Sequence, residues 1–149
     1  MKKIMLLALV LAALAGPARA QKAGSFGAGV VLGAPTGATG KLWLDNGTQA
    51  IDAGLGWNGA FTVYGDYLWH GWTLLPQPPR GRMPVYVGLG AQLRAYNDSE
   101  FSLRGVVGIA YWLPQDPIEI FAELVPLLHL TRHTGAGLDG AAGVRYYFN

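Results

Sequence analysis

From Phe26 to Phe148 the residues alternate with a period of two, and the alternation separates charge from bulk. A period of two is that of an extended strand, whose successive side chains point to opposite faces. One face collects Phe26, Val30, Leu32, Leu42, Ile51, Leu55, Phe61 and Val63, then Val85, Leu89, Leu103, Val107, Ile118, Ile120, Leu124 and Val144. The other collects Lys41, Asp52, Asp66, Arg94, Arg104, Glu119, Glu123, Asp139 and Arg145, with many glycines between them. The stretch Ile118–Leu130 shows the conflict best. A helix would pair Glu119 with Glu123 on one side. A strand puts both acids and His129 on a face shared with Phe121, Val125 and Leu127, and leaves the opposite face uncharged.

Turn residues divide the alternation into eight expected strands: Phe26–Gly33, Thr39–Leu44, Ala50–Trp57, Phe61–His70, Pro84–Tyr96, Phe101–Leu113, Ile118–Leu130 and Leu138–Phe148. Asp45-Asn46-Gly47 and Asn58-Gly59 are hairpin signals, because Asn-Gly readily takes positive φ. Even spacing and short turns predict an all-β antiparallel meander, and eight strands suit closure into an up-and-down barrel. The exception is the connector Gly71–Met83, with Pro76, Pro78, Pro79, Arg80 and Arg82, which reads as a solvated linker.

Alternation alone does not say which face points inward. A soluble, lipocalin-like barrel would bury the apolar face, and a membrane barrel would expose it to lipid. Two arguments favour lipid. An eight-stranded barrel is only just wide enough for side chains to fill, and this apolar face would overfill it. The charged face is rich in glycine and nearly balanced in sign, which suits a narrow interior of paired charges. Strands of about 9–11 tilted residues cross a bilayer. Trp57, Trp69, Trp72, Tyr111, Trp112 and Tyr146 to Phe148 gather near strand ends, as interfacial girdles do. The lumen is therefore expected to hold a network of Lys41, Asp52, Asp66, Arg94, Arg104, Glu119, Glu123, Asp139 and Arg145. Arginines such as Arg104 and Arg145 are expected to meet Glu119 and Glu123. A narrow pore is the alternative to this plugged interior.

The first twenty residues are a separate object. Lys2 and Lys3 precede the apolar run Ile4–Ala15, and Ala18-Arg19-Ala20 offers a cleavage site. That layout predicts a cleaved Sec signal peptide over 1–20 and a mature barrel over 21–149. Without Lys2, Lys3 and Arg19 the chain keeps 8 basic and 9 acidic residues, so the net +2 of the whole chain gives no support to a nucleic-acid partner. There is no cysteine, which excludes disulfides and thiolate metal sites. Only 13% of the chain is charged, and neither a long apolar run after the signal nor a disulfide accounts for it.

The terminal pattern Leu138, Gly140, Ala142, Val144, Tyr146, Phe148 resembles the C-terminal signature of outer-membrane barrels, although Asn149 follows Phe148. The mature chain resembles small eight-stranded barrels of the OmpA-transmembrane and OmpX kind. The segments GAPTGATGKLWL, AIDAGLGW and GAAGVRYYF look like those of a group of short bacterial outer-membrane barrel proteins. This resemblance implies an outer-membrane location in a Gram-negative-type bacterium, with lipid as surroundings. It also implies recognition of Val144, Tyr146 and Phe148 by the barrel-assembly machinery. A monomer without cofactor is expected.

Some barrels of this kind are lipid A deacylases or acyltransferases with His and Ser near the outer rim. The corresponding candidates here are His129, Thr131 and Ser99, with Asp98 beside the last. A hydroxyl activated by His is a legitimate nucleophile. Thr131 stands where the deacylase pattern has Ser, and the sequence offers no acidic third partner. The expectation is a structural or interaction protein with no catalytic residues. His129 and His133 have ligand spacing only in a helix, so no metal is expected.

Overall fold

The computed structural model describes residues 23–45, 47–57, 59–95, 99–131 and 134–148. The expected signal peptide, Asn46, Asn58, Asp98 and His133 lie outside the described residues. Eight strands follow in chain order: β1 (Phe26–Gly33), β2 (Thr36–Trp43), β3 (Gln49–Trp57), β4 (Phe61–Gly71), β5 (Val85–Ala95), β6 (Ser99–Trp112), β7 (Ile118–His129) and β8 (Gly135–Phe148). Each pairs antiparallel with the next, and β8 closes on β1 with Phe26 opposite Phe148. The fold is a closed, up-and-down, eight-stranded barrel. The strands run longer than expected where glycine hides the alternation. β2 begins at Thr36 and β8 at Gly135, both within glycine-rich stretches.

The charged face points inward. Lys41, Glu119 and Arg145 are fully buried, while Val30, Leu89 and Leu138 are each at least 60% exposed on the outside. None of the outward positions of the eight strands carries a charged side chain. The inverted, lipocalin-like arrangement is thus not the one adopted. Barrel closure satisfies the backbone within the sheet and frees the outer face to be largely apolar.

The interior fits because large inward groups lie opposite inward glycines. Tyr64 is opposite Gly54, Tyr86 opposite Gly108, Phe121 opposite Gly143 and Tyr147 opposite Gly27. A Cβ added at any of these four glycines would come within 2.7 Å of the facing ring. These glycines provide space, and the rings in turn cover backbone that has no side chain of its own.

One end of the barrel carries the start of β1, the end of β8 and the turns after β2, β4 and β6. In the first of these, Asp45 Oδ1 accepts backbone N–H bonds from Gly47 (3.2 Å), Thr48 (2.7 Å) and Gln49 (2.8 Å), and Gly47 has φ 119°. The connector after β4 is not the loose linker its composition suggests. The Gln77 side chain ties it to itself, donating to Leu75 O and Met83 O and accepting from Met83 N. Arg82 exchanges two backbone hydrogen bonds with Trp112, and the Tyr111 hydroxyl donates to Arg80 O. Trp72, at its start, turns into the barrel mouth and donates from its indole to Gly47 O.

Candidate functional site

The side chains that point into the lumen lie in layers. At the end where β1 starts and β8 ends, Trp43 packs against His70 (4.5 Å between ring centroids), Trp72 (6.4 Å) and Trp112 (6.2 Å), and Trp112 against Tyr147 (4.6 Å). The Arg82 guanidinium caps the group, 4.0 Å above the Trp72 ring. This corrects the expected girdle. Trp57, Trp69, Tyr146 and Phe148 do face outward, but Trp112 and Tyr147 are buried inside and Trp72 closes the mouth. The reason is parity. Trp112 is one residue past the outward Tyr111, and Tyr147 one past Tyr146.

Next comes a fully buried ionic layer. Lys41 Nζ lies 3.0 Å from Glu119 Oε2 and 2.8 Å from His70 Nε2. Arg145 joins Glu119 Oε1 (2.8 Å) to Asp52 Oδ2 (2.9 Å) and also donates to Thr39 Oγ1 (3.0 Å). Tyr147 donates to Glu119 as well, at 3.3 Å. Two hairpins distant in sequence, β2–β3 and β7–β8, thereby meet through two cations and two carboxylates. Burying such charges costs several kcal/mol per ion unless each is paired and hydrogen-bonded, which here each one is.

Across the middle, Arg104 Nε stands 2.8 Å from Asp66 Oδ1, an ion pair held by proximity rather than by an aligned hydrogen bond. Arg104 also donates to Gln92 Oε1 at 3.0 Å and lies 4.1 Å from the Tyr64 ring. Glu123 accepts from the Tyr86 hydroxyl at 2.7 Å. It meets no cation within ion-pair distance among the described residues. The expected meeting of Arg104 with a β7 glutamate is therefore replaced. Arg104 takes Asp66, Arg145 takes Glu119, and Glu123 takes a tyrosine.

At the far mouth the groups are partly open to solvent. Arg94 lies 3.7 Å from Glu100, and Glu100 lies 3.3 Å from His129 Nδ1. Asp139 is half-buried there and forms no ion pair among the described residues. His129 Nδ1 also contacts Ser102 Oγ at 2.8 Å. Ser102 and Glu100 were not singled out from the sequence. Parity places both on the lumen face with Arg104, but only the register, which sets Ser102 opposite His129, brings them together. The three do not form a catalytic relay. Serine and carboxylate share one ring nitrogen, whereas a relay uses the two nitrogens separately. Ser102 is also fully buried. Of the other candidates, Thr131 Oγ1 accepts from Phe101 N (2.8 Å) and donates to Ser99 O (3.5 Å), which fastens the β7 end to β6. Among the described residues no group of three His, Cys, Asp or Glu side chains is placed to hold a metal ion.

On the outside, Val144, Tyr146 and Phe148 stand in one row along β8, with the Tyr146 and Phe148 rings edge to face at 5.3 Å. No family model matches the chain, and no curated protein matches it in sequence. Among solved structures, the crystal structure of the N-terminal β-barrel domain of Pseudomonas aeruginosa OprF is similar, with a TM-score of 0.61 at 16% identity. The match covers 86% of this chain and 100% of that one. The chain thus shares the fold of that β-barrel domain.

Proposed function

We propose that this protein is a monomeric outer-membrane barrel with a structural or interaction role, whose lumen is a sealed brace rather than a channel or a catalytic site. The observation that carries this reading is the outer belt. Apolar side chains dominate the outward face of every strand and no charge interrupts them, while Lys41, Arg145, Glu119 and Asp52 are paired inside. A surface of that kind is stable against hydrocarbon and costly against water. The likeness of fold to the OprF barrel domain supports the same location. The β8 row ending in Phe148 supports insertion by the barrel-assembly machinery.

Closure is supported by the aromatic cluster at one end and the ionic layer beneath it. A non-catalytic role is supported by the burial of Ser102 and by the use of the Thr131 hydroxyl as a strand fastener. The test is expression of the full chain, membrane fractionation, and electrophoresis of unboiled and boiled protein in SDS. Outer-membrane recovery with a heat-dependent mobility shift is expected. Recovery in the soluble periplasmic fraction would overturn the location. Discrete conductance in planar bilayers would overturn closure, and altered lipid A on expression would overturn the non-catalytic reading.

A further inference from the structure

The buried part of the lumen holds one more carboxyl group than it holds cations. Among the described residues, Lys41, Arg104 and Arg145 stand against Asp52, Asp66, Glu119 and Glu123, all of them buried. His70 adds no charge, because Lys41 can only donate and gives a hydrogen bond to its Nε2 at 2.8 Å. The mouths do not restore the balance. At the far mouth Arg94 and His129 stand with Glu100 and Asp139, so even a charged histidine leaves no surplus cation there. At the other, Arg82 caps the aromatic group outside the ionic layer. The excess gathers at one place. Asp52 on β3 and Asp66 on β4 are directly opposite each other in the register, and both are inside. Each gives one oxygen to an arginine that fixes it. Asp52 Oδ2 lies 2.9 Å from Arg145, and Asp66 Oδ1 lies 2.8 Å from Arg104. Asp52 Oδ1 and Asp66 Oδ2 remain, both buried and neither with a partner among the described residues. Lys41, opposite Asp52 on its other side, sends its ammonium to Glu119 and His70 instead. The neighbouring groups are already engaged. Glu119 has Lys41, Arg145 and Tyr147, Glu123 has the Tyr86 hydroxyl, and the Tyr64 hydroxyl donates to Thr39.

We propose that Asp52 and Asp66 form a proton-binding site, in which one proton taken from solvent as the barrel closes is held between Asp52 Oδ1 and Asp66 Oδ2. The inference rests on the sealed lumen proposed above. Two carboxylates side by side in a water-excluded site do not both stay ionised. One proton lets one carboxyl donate to the other, and an O–H···O⁻ bond is among the strong ones. It also brings the buried charges into balance, three against three, and turns a like-charge repulsion across β3 and β4 into a cross-strand bond. The site belongs to the pair and not to either residue, since each carboxyl is the other's only unengaged neighbour in the row.

The test is infrared spectroscopy of the full mature chain, refolded in dodecyl maltoside, a detergent with no carbonyl group, at neutral pH. The expected spectrum contains the C=O stretch of a protonated carboxyl, and that band is lost in Asp66→Asn. The amide of this variant keeps an oxygen for Arg104 and offers Asp52 an N–H in place of the proton. Asp66→Asn should therefore unfold closer to the wild-type temperature than Asp66→Ala does. If Asp66→Asn lacks the heat-dependent mobility shift, Asp52→Asn carries the comparison, since it removes the same pair from the other side. Absence of the band in the wild type, or a band that persists in the Asn variant, overturns the site. Steady conductance in planar bilayers overturns the sealed lumen, which the infrared band does not report. A silent barrel without the band overturns the shared proton and leaves the sealed brace standing.

Discussion

The hydroxyl of Tyr86 on β5 donates to Glu123 on β7 across the whole width of β6, passing over Gly108. Tyr86, Gly108 and Glu123 form one row of the register, and two further rows repeat the device. Tyr64 on β4 passes Gly54 on β3 to donate to Thr39 on β2. Asp66 on β4 passes Gly90 on β5 to meet Arg104 on β6. In each row the middle strand yields its side chain so that its two neighbours can touch. The barrel is braced two strands at a time as well as through its sheet.

Gly108→Ala is expected to destabilise the barrel by about 1–3 kcal/mol, the usual cost of overpacking. The added methyl would stand 2.3 Å from Cζ of Tyr86 and push the ring off its path to Glu123. Urea unfolding in detergent, followed by the mobility shift, measures the loss. Combining Gly108→Ala with Tyr86→Leu removes the clash, so the double variant should cost less than the sum of the two singles. Additive costs would mean that Tyr86 does not depend on the space at Gly108.

Glu123→Ala is expected to cost about 1–3 kcal/mol by leaving a buried tyrosine hydroxyl without its acceptor. In a Tyr86→Phe background the same change should cost much less, because no donor is left stranded. Equal costs in the two backgrounds would show that Glu123 answers to a charge rather than to Tyr86.

Glu119→Gln is expected to be the most damaging single change in the lumen, at about 3–5 kcal/mol, because it leaves two fully buried cations short of a carboxylate. Lys41 and Arg145 both rely on Glu119. Arg94→Gln at the open mouth should cost less than about 1 kcal/mol, since its pair with Glu100 is partly in water. Thermal unfolding of the two variants side by side checks the order.

The barrel itself was legible in the sequence because a period of two survives without any knowledge of register. Parity put Glu119 and Arg145 on one face and Ile120 and Val144 on the other, and the bulk of the apolar face then turned the charges inward. Register is what parity lacks. It decides that Arg104 meets Asp66 and not a glutamate, and that Ser102 faces His129. Parity read with too coarse a window also failed at Tyr111-Trp112 and Tyr146-Tyr147-Phe148. A girdle made of those whole clusters ignores that adjacent residues on a strand must diverge. The connector was opaque for a different reason. Its order comes from the Gln77 staple and from the backbone of Arg82 against Trp112, and neither leaves a periodic trace.

The Asp45 turn predicts a local pH dependence. Backbone N–H donation, from Gln49 first and then Thr48 and Gly47, holds its carboxyl below the ordinary aspartate value. A carboxyl whose pKa is lowered on folding contributes stability that is fully present above its unfolded value, near 3.8, and lost as pH falls through the lower folded value. Amide exchange of Thr48 and Gln49 should therefore be protected evenly at neutral pH and lose protection only in acid. Asp45→Asn keeps an acceptor without a titrating charge and should remove that acid step. A step that persists in the variant would assign it to another group.

Trp72→Ala is expected to weaken the barrel without opening it. The indole is only partly buried, so the loss should be about 2 kcal/mol, below that of a core tryptophan. Arg82 would lose the ring beneath it, and Trp43 and Trp112 one neighbour each. Below them the Lys41, Glu119, Arg145 and Asp52 layer still crosses the lumen with no exposed side-chain surface at any of its four members. Planar-bilayer recordings of the variant should therefore stay silent while its unfolding temperature falls. Steady conductance in Trp72→Ala would mean that the aromatic cluster is the gate and that the ionic layer does not seal.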